Sequence, residues 1–270
     1  MTRVIFLGTA AALPTGDRGF TALALMGDPS EPALLIDCGD GVYRALVRAE
    51  IGPDAIGDLF ITHAHIDHLG GLPSLIECFR LAGRRRPLRI FALPETLAVA
   101  RSLLDTFAFE LTLGDWPYNV SLTEVDEDSK LTFLGVPATL LRMVHTVPSA
   151  GLRIELPGGA LAYTCDTEPN PAIPVLGKQA RVLITECTTL ERNAQMAHVA
   201  KHLTALQAGQ QAWVVQAAQL LCVARGLHCH MFPPSHSSRE RRRQAVGVCL
   251  GHQAWSGNRD GDSMSPLVAG

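Results

Sequence analysis

The chain has 270 residues, of which 47% are hydrophobic and 18% charged, and its formal net charge is −3 at pH 7. A charge this close to balance excludes a protein that binds nucleic acid or an anionic membrane through its overall field. The length and hydrophobic content suit one large α/β domain with an extensive core. The first residues enter a strand directly and no apolar run reaches membrane-spanning length. We therefore expect neither a secretory signal nor a membrane span.

The seven cysteines form an odd, scattered set without a Cys-x-x-Cys pair, at positions 38, 78, 165, 187, 222, 229 and 248. A disulfide framework needs paired and regularly spaced cysteines. This distribution instead predicts reduced thiols in a cytoplasmic protein.

Strands and helices alternate in the first half of the chain, and strands dominate the second. Apolar runs predict strands at residues 4–7, 21–26, 33–37, 56–62, 88–93, 130–134, 139–144, 152–156 and 160–164. Helical spacing predicts helices after residue 41 and at 72–81 and 96–107. This order favours paired sheets flanked by helices. We predict one domain over residues 1–243 and a loose tail over 244–270, which is rich in Ser, Gly and Asp and has little periodicity.

The densest group of metal-ligand side chains lies in the stretch Thr62-His63-Ala64-His65-Ile66-Asp67-His68, directly after an apolar strand. Alternate residues of an extended segment point the same way, so His63 and His65 can bind one ion together. Asp67 and His68, past the bend, can face a second ion. Imidazole and carboxylate ligands suit zinc, and less often manganese or iron.

This stretch resembles the His-x-His-x-Asp-His motif of the metallo-β-lactamase superfamily. Residues 7–15, 35–41 and 60–73 further resemble the opening segments of its ribonuclease Z branch. The resemblance implies an αββα four-layer sandwich with the metal site at one edge of the paired sheets. It also implies phosphodiester hydrolysis at two Zn²⁺ ions that share a hydroxide, with Mn²⁺ or Fe²⁺ as alternative metals.

Two further ligand candidates, His145 and Asp166, each follow a predicted strand. Either residue alone is as readily explained by a loop hydrogen bond as by a metal. The resemblance assigns His145 to the first ion with His63 and His65, and it makes Asp166 the bridge between both ions. The residue before this aspartate is usually glycine in the family, and here it is Cys165.

Glu186 and His202 are the candidates for proton transfer, together with Asp67. The segments 185–188 and 201–208 resemble the Glu-Ala-Thr and His-Ser-Thr segments of the branch, in which the histidine donates a proton and the glutamate holds its ring. Asp67 would orient the attacking hydroxide or take its proton. A general acid is needed because an alkoxide departs poorly unless it is protonated. The alternative is that His202 is an ordinary solvated residue at a helix start.

The last metal ligand is expected near residues 227–238, where several histidines occur. We predict His230, with His236 second and His228 third.

Ribonuclease Z-type cleavage of RNA is the leading prediction for the activity, because the motifs resemble that branch most. The resemblance implies RNA, a tRNA precursor, and a homodimer as in many members of the branch. However, about twenty residues separate His145 from Asp166, which leaves no room for the long arm that grips tRNA in those enzymes. An armless phosphodiesterase acting on a cyclic nucleotide or another small diester is the alternative, and a catalytically decayed RNA-binding or scaffold protein is a third. The basic runs 84–86 and 239–243 are expected to be solvated rather than bound to phosphates.

Overall fold

The computed structural model describes residues 2–10, 12–107 and 117–223 and the short strands 247–248, 254–256 and 265–267. It contains two compact units. The first takes in the described residues up to Pro137 together with the strands 254–256 and 265–267, and the second begins at Ala138.

The first unit contains an eight-stranded mixed sheet in the order β15-β14-β1-β2-β3-β4-β5-β6. Its strands are β1 (Arg3–Gly8), β2 (Ala22–Met26), β3 (Ala33–Ile36), β4 (Ile56–Ile61), β5 (Leu88–Ala92), β6 (Val120–Glu124), β14 (Ala254–Ser256) and β15 (Ser265–Leu267), and the short β7 (Leu131–Phe133) follows β6 in the chain. Pairing is parallel from β3 to β6 and antiparallel elsewhere. The helices are α1 (Val42–Arg48), α2 (Ile66–Leu69), α3 (Leu72–Leu81) and α4 (Pro94–Thr106).

The central strand β4 brings the histidine motif to one edge of this sheet. All six of its residues are buried, as expected of a parallel strand covered on both faces. On one side its residues pack in a core with α3 and α4, through Phe79 and Leu97. On the other side Phe60 contacts Phe133, with ring centroids 6.4 Å apart. The motif therefore starts from a rigid base.

One residue of the first basic run departs from the prediction: Arg84 is buried, whereas Arg85 and Arg86 are exposed as expected. The Arg84 guanidinium lies over the rings of Phe79 and Tyr118, at 4.8 and 5.2 Å, and donates to the backbone carbonyl oxygens of Pro53 and Pro87. The aromatic pair and the two carbonyl acceptors offset much of the cost of burying this charge, while the Nε atom of Arg84 has no hydrogen-bond partner among the described residues. Arg84 is therefore a structural residue. The second run, 239–243, lies outside the described residues.

The second unit contains a mixed sheet with the order β13-β12-β11-β10-β9-β8. Its strands are β8 (Val136–Met143, all but its first two residues in this unit), β9 (Ser149–Ile154), β10 (Leu161–Tyr163), β11 (Val182–Glu186), β12 (Gln219–Val223) and β13 (Gly247–Val248). β8 to β10 pair antiparallel, and β10 to β13 pair parallel. The helices are α5 (Ala172–Leu176), α6 (Ala194–Val199) and α7 (Ala205–Val214), with a 3₁₀ turn at Glu191–Asn193.

The predicted strands of both units are present within a few residues of their expected bounds. The short helices α5 and α6 were not predicted, because five or six residues are too few to show helical periodicity. No helix of the described residues is long and apolar enough to cross a membrane. The single domain over 1–243 and the loose tail over 244–270 stay predictions, and most of the tail lies outside the described residues.

Candidate metal centre

The histidine motif of the first unit forms a compact group, which we call the His63 cluster: His63, His65, Asp67 and His68. The Nε2 atom of His63 lies 3.1 Å from the Nδ1 atom of His65. The ring centroids of His63 and His68 are 4.1 Å apart. His63 and His68 are fully buried and Asp67 nearly so, whereas His65 is half-buried. The predicted residues are therefore brought together within this unit.

Asp37 holds this cluster in place, a role that no sequence pattern indicated. Its carboxylate accepts from the backbone N–H of Thr62 at 2.8 Å and from the Thr62 hydroxyl at 2.9 Å. It also lies 2.8 Å from Nδ1 of His68. A hydrogen bond from Nδ1–H to a carboxylate fixes the neutral ring in the tautomer whose Nε2 can bind a metal. The signal in the sequence was a lone aspartate at the end of β3, which is weak without the fold.

The turn that carries the cluster requires glycine at two positions. A Cβ atom on Gly39 would lie 2.3 Å from the carbonyl oxygen of Asp67, and one on Gly71 would lie 2.4 Å from the carbonyl oxygen of Gly39. The backbone N–H of Cys38 donates to His68 O at 2.7 Å, and that of Gly71 donates to Cys38 O at 2.8 Å. The segment after β3 and the histidine motif are therefore in backbone contact, which only glycine permits.

The second unit has its own group of ligand side chains, the His145 cluster: His145, Asp166 and His202. Each of the three residues offers one possible ligand atom, and these three atoms lie within 4.8 Å of one another. Nδ1 of His145 lies 3.0 Å from the carbonyl oxygen of Lys201, so its Nε2 is the atom left to bind a metal. Asp166 is 4% exposed and lies three residues beyond the end of β10. The structure thus places both later ligand candidates together.

His202 is held by Glu186 at the end of the adjacent parallel strand β11. Nδ1 of His202 lies 2.8 Å from Oε1 of Glu186 and 3.9 Å from Oδ2 of Asp166. Glu186 also accepts from the backbone N–H of Thr167 at 2.7 Å and from the Thr188 hydroxyl at 2.5 Å. Complete burial raises the pKa of Glu186 to about 7, against the lowering effect of the hydrogen bond from His202. Glu186 is therefore a positioning group for the His202 ring.

His202 does not cap the following helix, which weakens the case for an ordinary helix-start residue. The cap of α7 is a complete capping box made by Thr204 and Gln207. The His202 side chain remains 19% exposed, so a substrate can reach it. It lies beside His145, with ring centroids 4.9 Å apart. This environment suits proton transfer better than a structural role.

Two residues next to ligand candidates have left-handed backbone conformations. Cys165 has φ = 53° directly before Asp166, and Lys201 has φ = 53° directly before His202. This region is unfavourable for a residue with a Cβ atom. Cys165 therefore accepts the conformation at a position where the family usually has glycine. Such outliers concentrate at functional sites.

The donors present fit a metal of the zinc type, since they are imidazole nitrogens and carboxylate oxygens. The described residues thus include groups that could hold a metal ion. The last predicted ligand, His230, and its alternatives His236 and His228 lie outside the described residues. Their assignment stays a prediction.

The chain is similar to ribonucleases Z and to solved metallo-β-lactamase folds. It is 31% identical over 148 residues to ribonuclease Z of Methanococcus maripaludis, a match that covers 54% of this chain and 46% of that enzyme. It is 28% identical over 271 positions to ribonuclease Z of Natronomonas pharaonis, covering 82% of this chain and 86% of that enzyme. The structure of human tRNase Z, short form, matches with a TM-score of 0.74 and 23% identity, over 94% of this chain and 98% of that one. The metallo-β-lactamase fold protein YhfI from Bacillus subtilis matches with a TM-score of 0.72 and 19% identity, over 95% and 99% of the two chains.

The fold and the two clusters therefore define a metallo-β-lactamase-fold protein of the ribonuclease Z-like branch, as predicted. The Natronomonas ribonuclease Z, together with ribonuclease BN of Cronobacter sakazakii at 28% identity over 80% of this chain and 86% of that enzyme, supports the predicted class of activity, metal-dependent hydrolysis of phosphodiesters. Within this class the family model described as anti-Pycsar protein Apyc1 matches residues 2–217, and the chain belongs to that family.

The match with the Natronomonas enzyme contains gaps on the side of this chain. The match runs over 271 positions but uses 82% of the chain, which is about 221 of its 270 residues. About 50 positions therefore have no counterpart here. The chain spans about half of the Methanococcus enzyme.

Proposed function

We propose that this protein is a metal-dependent phosphodiesterase that cleaves a nucleotide diester with an alkoxide leaving group. The observation that carries the proposal is the 2.8 Å contact between His202 and the buried Glu186, beside His145 and Asp166. An aryl or thiolate leaving group departs without a proton, and hydrolysis of such substrates would not require this pair. A ribose alkoxide, by contrast, requires a proton in order to depart.

The proposed ligands divide between the two clusters. His63, His65 and His145 would hold one ion, Asp67, His68 and His230 would hold the other, and Asp166 would contribute to both sites. When bound, zinc supplies a Lewis acid for the phosphoryl group and lowers the pKa of water. The donor chemistry of each cluster, and the tautomers fixed by Asp37 and by the Lys201 carbonyl, support this assignment.

The chain's own residues then perform the proton transfers. Asp67 orients the attacking water or takes its proton. His202 donates a proton to the departing oxygen, and Glu186 holds the ring with Nδ1 toward itself, so that Nε2 faces the leaving group.

Two substrate classes are compatible with this chemistry. The relatives named ribonuclease Z suggest RNA, a tRNA precursor, as the first. The connection between His145 and Asp166 favours the second, a cyclic nucleotide or another small diester. β9 and β10 fill this connection and are joined by only residues 155–160, so no tRNA-binding arm extends from it. Since an arm would supply most of the surface for a large RNA, we propose the small diester as the better substrate.

A side-by-side assay tests this choice. Purified, zinc-loaded protein is given a precursor tRNA, a cyclic mononucleotide and bis-p-nitrophenyl phosphate, and kcat/KM is measured for each. The proposal expects the cyclic nucleotide to be cleaved faster than the precursor. Faster and site-specific cleavage of the tRNA 3′ trailer would favour RNA instead. No hydrolysis of any substrate would favour the decayed, non-enzymatic alternative.

Two expectations about the protein's environment are also proposals. The described cysteines, Cys38, Cys78, Cys165, Cys187 and Cys222, are all free thiols, which supports a reducing, cytoplasmic location. A homodimer is proposed from the resemblance to ribonuclease Z. Light scattering of the purified chain tests it.

A further inference from the structure

A cleft in the first unit lies between the loop 14–20 and the outer face of α1, and no role has been assigned to it. Its volume is about 210 Å³. One ordered water needs roughly 10–15 Å³, whereas complete small-molecule ligands occupy pockets of roughly 300–1,000 Å³. The cleft is therefore large enough for one polar group of a ligand but small for a whole nucleotide. We call it the arginine cleft.

Three arginines, Arg18, Arg44 and Arg48, are among the residues that line this cleft. None of the three forms an ion pair with another side chain among the described residues. The carboxylates on the lining are those of Asp17 and Asp40, so the lining has one excess positive charge. This local charge is opposite in sign to the net charge of the whole chain, which is −3.

The loop that covers the cleft is held in a fixed shape. The backbone N–H of Thr15 donates to Arg18 O at 3.0 Å, and the Thr15 hydroxyl donates to the Asp17 carboxylate at 2.6 Å. The N–H of Ala10 donates to Gly19 O at 3.0 Å, which anchors the end of the loop. A Cβ atom on Gly19 would meet nothing within 4 Å, so the loop leaves the cleft open beside its backbone.

The cleft adjoins the turn that carries the His63 cluster. Phe20 lines the cleft, and its Cβ atom lies 2.4 Å from the place that a Cβ on Gly39 would occupy. The carbonyl oxygen of Asp67 lies 2.3 Å from the same point. Gly39 is therefore in contact with a wall of the cleft on one side and with a predicted metal ligand on the other.

We propose that the arginine cleft is a phosphate-binding subsite. Guanidinium groups bind phosphate oxygens through charge-assisted and often bidentate hydrogen bonds, and three of them around a small opening match a phosphate dianion. The phosphate is either a group of the substrate other than the one being hydrolysed or that of a free phosphomonoester, the kind of product that diester hydrolysis releases. This substrate role rests on the proposed phosphodiesterase function, whereas phosphate binding itself does not.

Phosphate binding is tested by calorimetric titration of inorganic phosphate into the full chain, as purified and again after chelation of metal. Binding that persists after chelation is assigned to the cleft. We expect Arg44→Gln and Arg48→Gln each to weaken it about tenfold, the size of one charge-assisted hydrogen bond. The matched control is Arg101→Gln, an exposed arginine of α4 outside the cleft, which should not change it. Equal binding by all variants, equal weakening by the control, or no binding after chelation would overturn the proposal.

Kinetics distinguish the two sources of the phosphate. If a second substrate phosphate occupies the cleft, Arg44→Gln lowers kcat/KM for an oligouridylate but not for a cyclic mononucleotide. If a free phosphomonoester occupies it, kcat/KM is unchanged for both and inhibition by added nucleoside monophosphate becomes weaker. No effect in either arm would reject a role for the cleft in the reaction. If the protein hydrolyses none of these substrates, the proposed function fails while the phosphate titration still decides the cleft.

Discussion

Replacing His202 with alanine is expected to lower the rate only for substrates whose leaving group needs a proton. The ring is held by Glu186 at 2.8 Å and is 19% exposed, so it is both oriented and accessible. A positioned general acid contributes about 10²- to 10⁴-fold to the rate. We expect that loss with a cyclic nucleotide or RNA. An activated aryl diester should be cleaved almost as fast by the variant.

The assay compares kcat for both substrates and measures zinc in the same samples. Glu186→Gln should show the same pattern with a smaller loss, because the amide can misorient the ring but does not remove it. The matched control is His198→Ala, since His198 is 78% exposed on α6 and pairs only with Glu168 among the described residues. Equal losses on both substrates would refute general acid catalysis. Loss of zinc from His202→Ala would instead make His202 a metal ligand, which its distance from His145 and Asp166 allows.

Three further predictions concern positions outside this pair. Lys201→Gly should keep activity and raise the free energy of unfolding by up to about 1 kcal/mol in thermal melts, because it removes left-handed strain while keeping the backbone carbonyl that accepts from His145. Lys201→Val should lower both activity and the free energy of unfolding. Equal behaviour of the two variants would reject the argument from backbone conformation. Arg84→Met should destabilise the fold by about 2–4 kcal/mol in denaturant titrations, because two buried carbonyl groups lose a charged donor. An unchanged denaturation midpoint would contradict the structural role of Arg84. His230→Ala should weaken binding of one of the two metals, whereas His236→Ala should not. The reverse result would make His236 the ligand. No effect from either variant would mean that neither histidine binds the metal.

Much of the candidate site was predictable because its ligands follow buried strands. His63 and His65 come directly after an apolar run, and a set of ligand side chains this dense within six residues is rare outside metal sites. Asp166 follows β10 and Glu186 ends β11, and these two strands of the second unit pair in parallel, so both carboxylates lie beyond the same edge of the sheet. Apolar runs therefore located the strands, and the resemblance supplied the roles.

The missed features depend on contacts between segments that are distant in sequence. Asp37 lies 31 residues before His68, and no local pattern indicates that its carboxylate holds that ring. The backbone carbonyl of Lys201 orients His145 from 56 residues away, a contact that no side-chain pattern encodes. The burial of Arg84 was mispredicted because a basic run resembles a solvated surface, and only the fold places Phe79 and Tyr118 around it.

Metal-dependent phosphodiesterase activity is tested by measuring zinc content and hydrolysis on the same sample. We predict about two zinc ions per chain, loss of hydrolysis on chelation and its return when zinc is added back. His63→Ala should lose both metal and activity, because its ring lies at the centre of the His63 cluster. Hydrolysis that survives chelation, or a His63→Ala variant with full zinc content and full activity, would contradict the account.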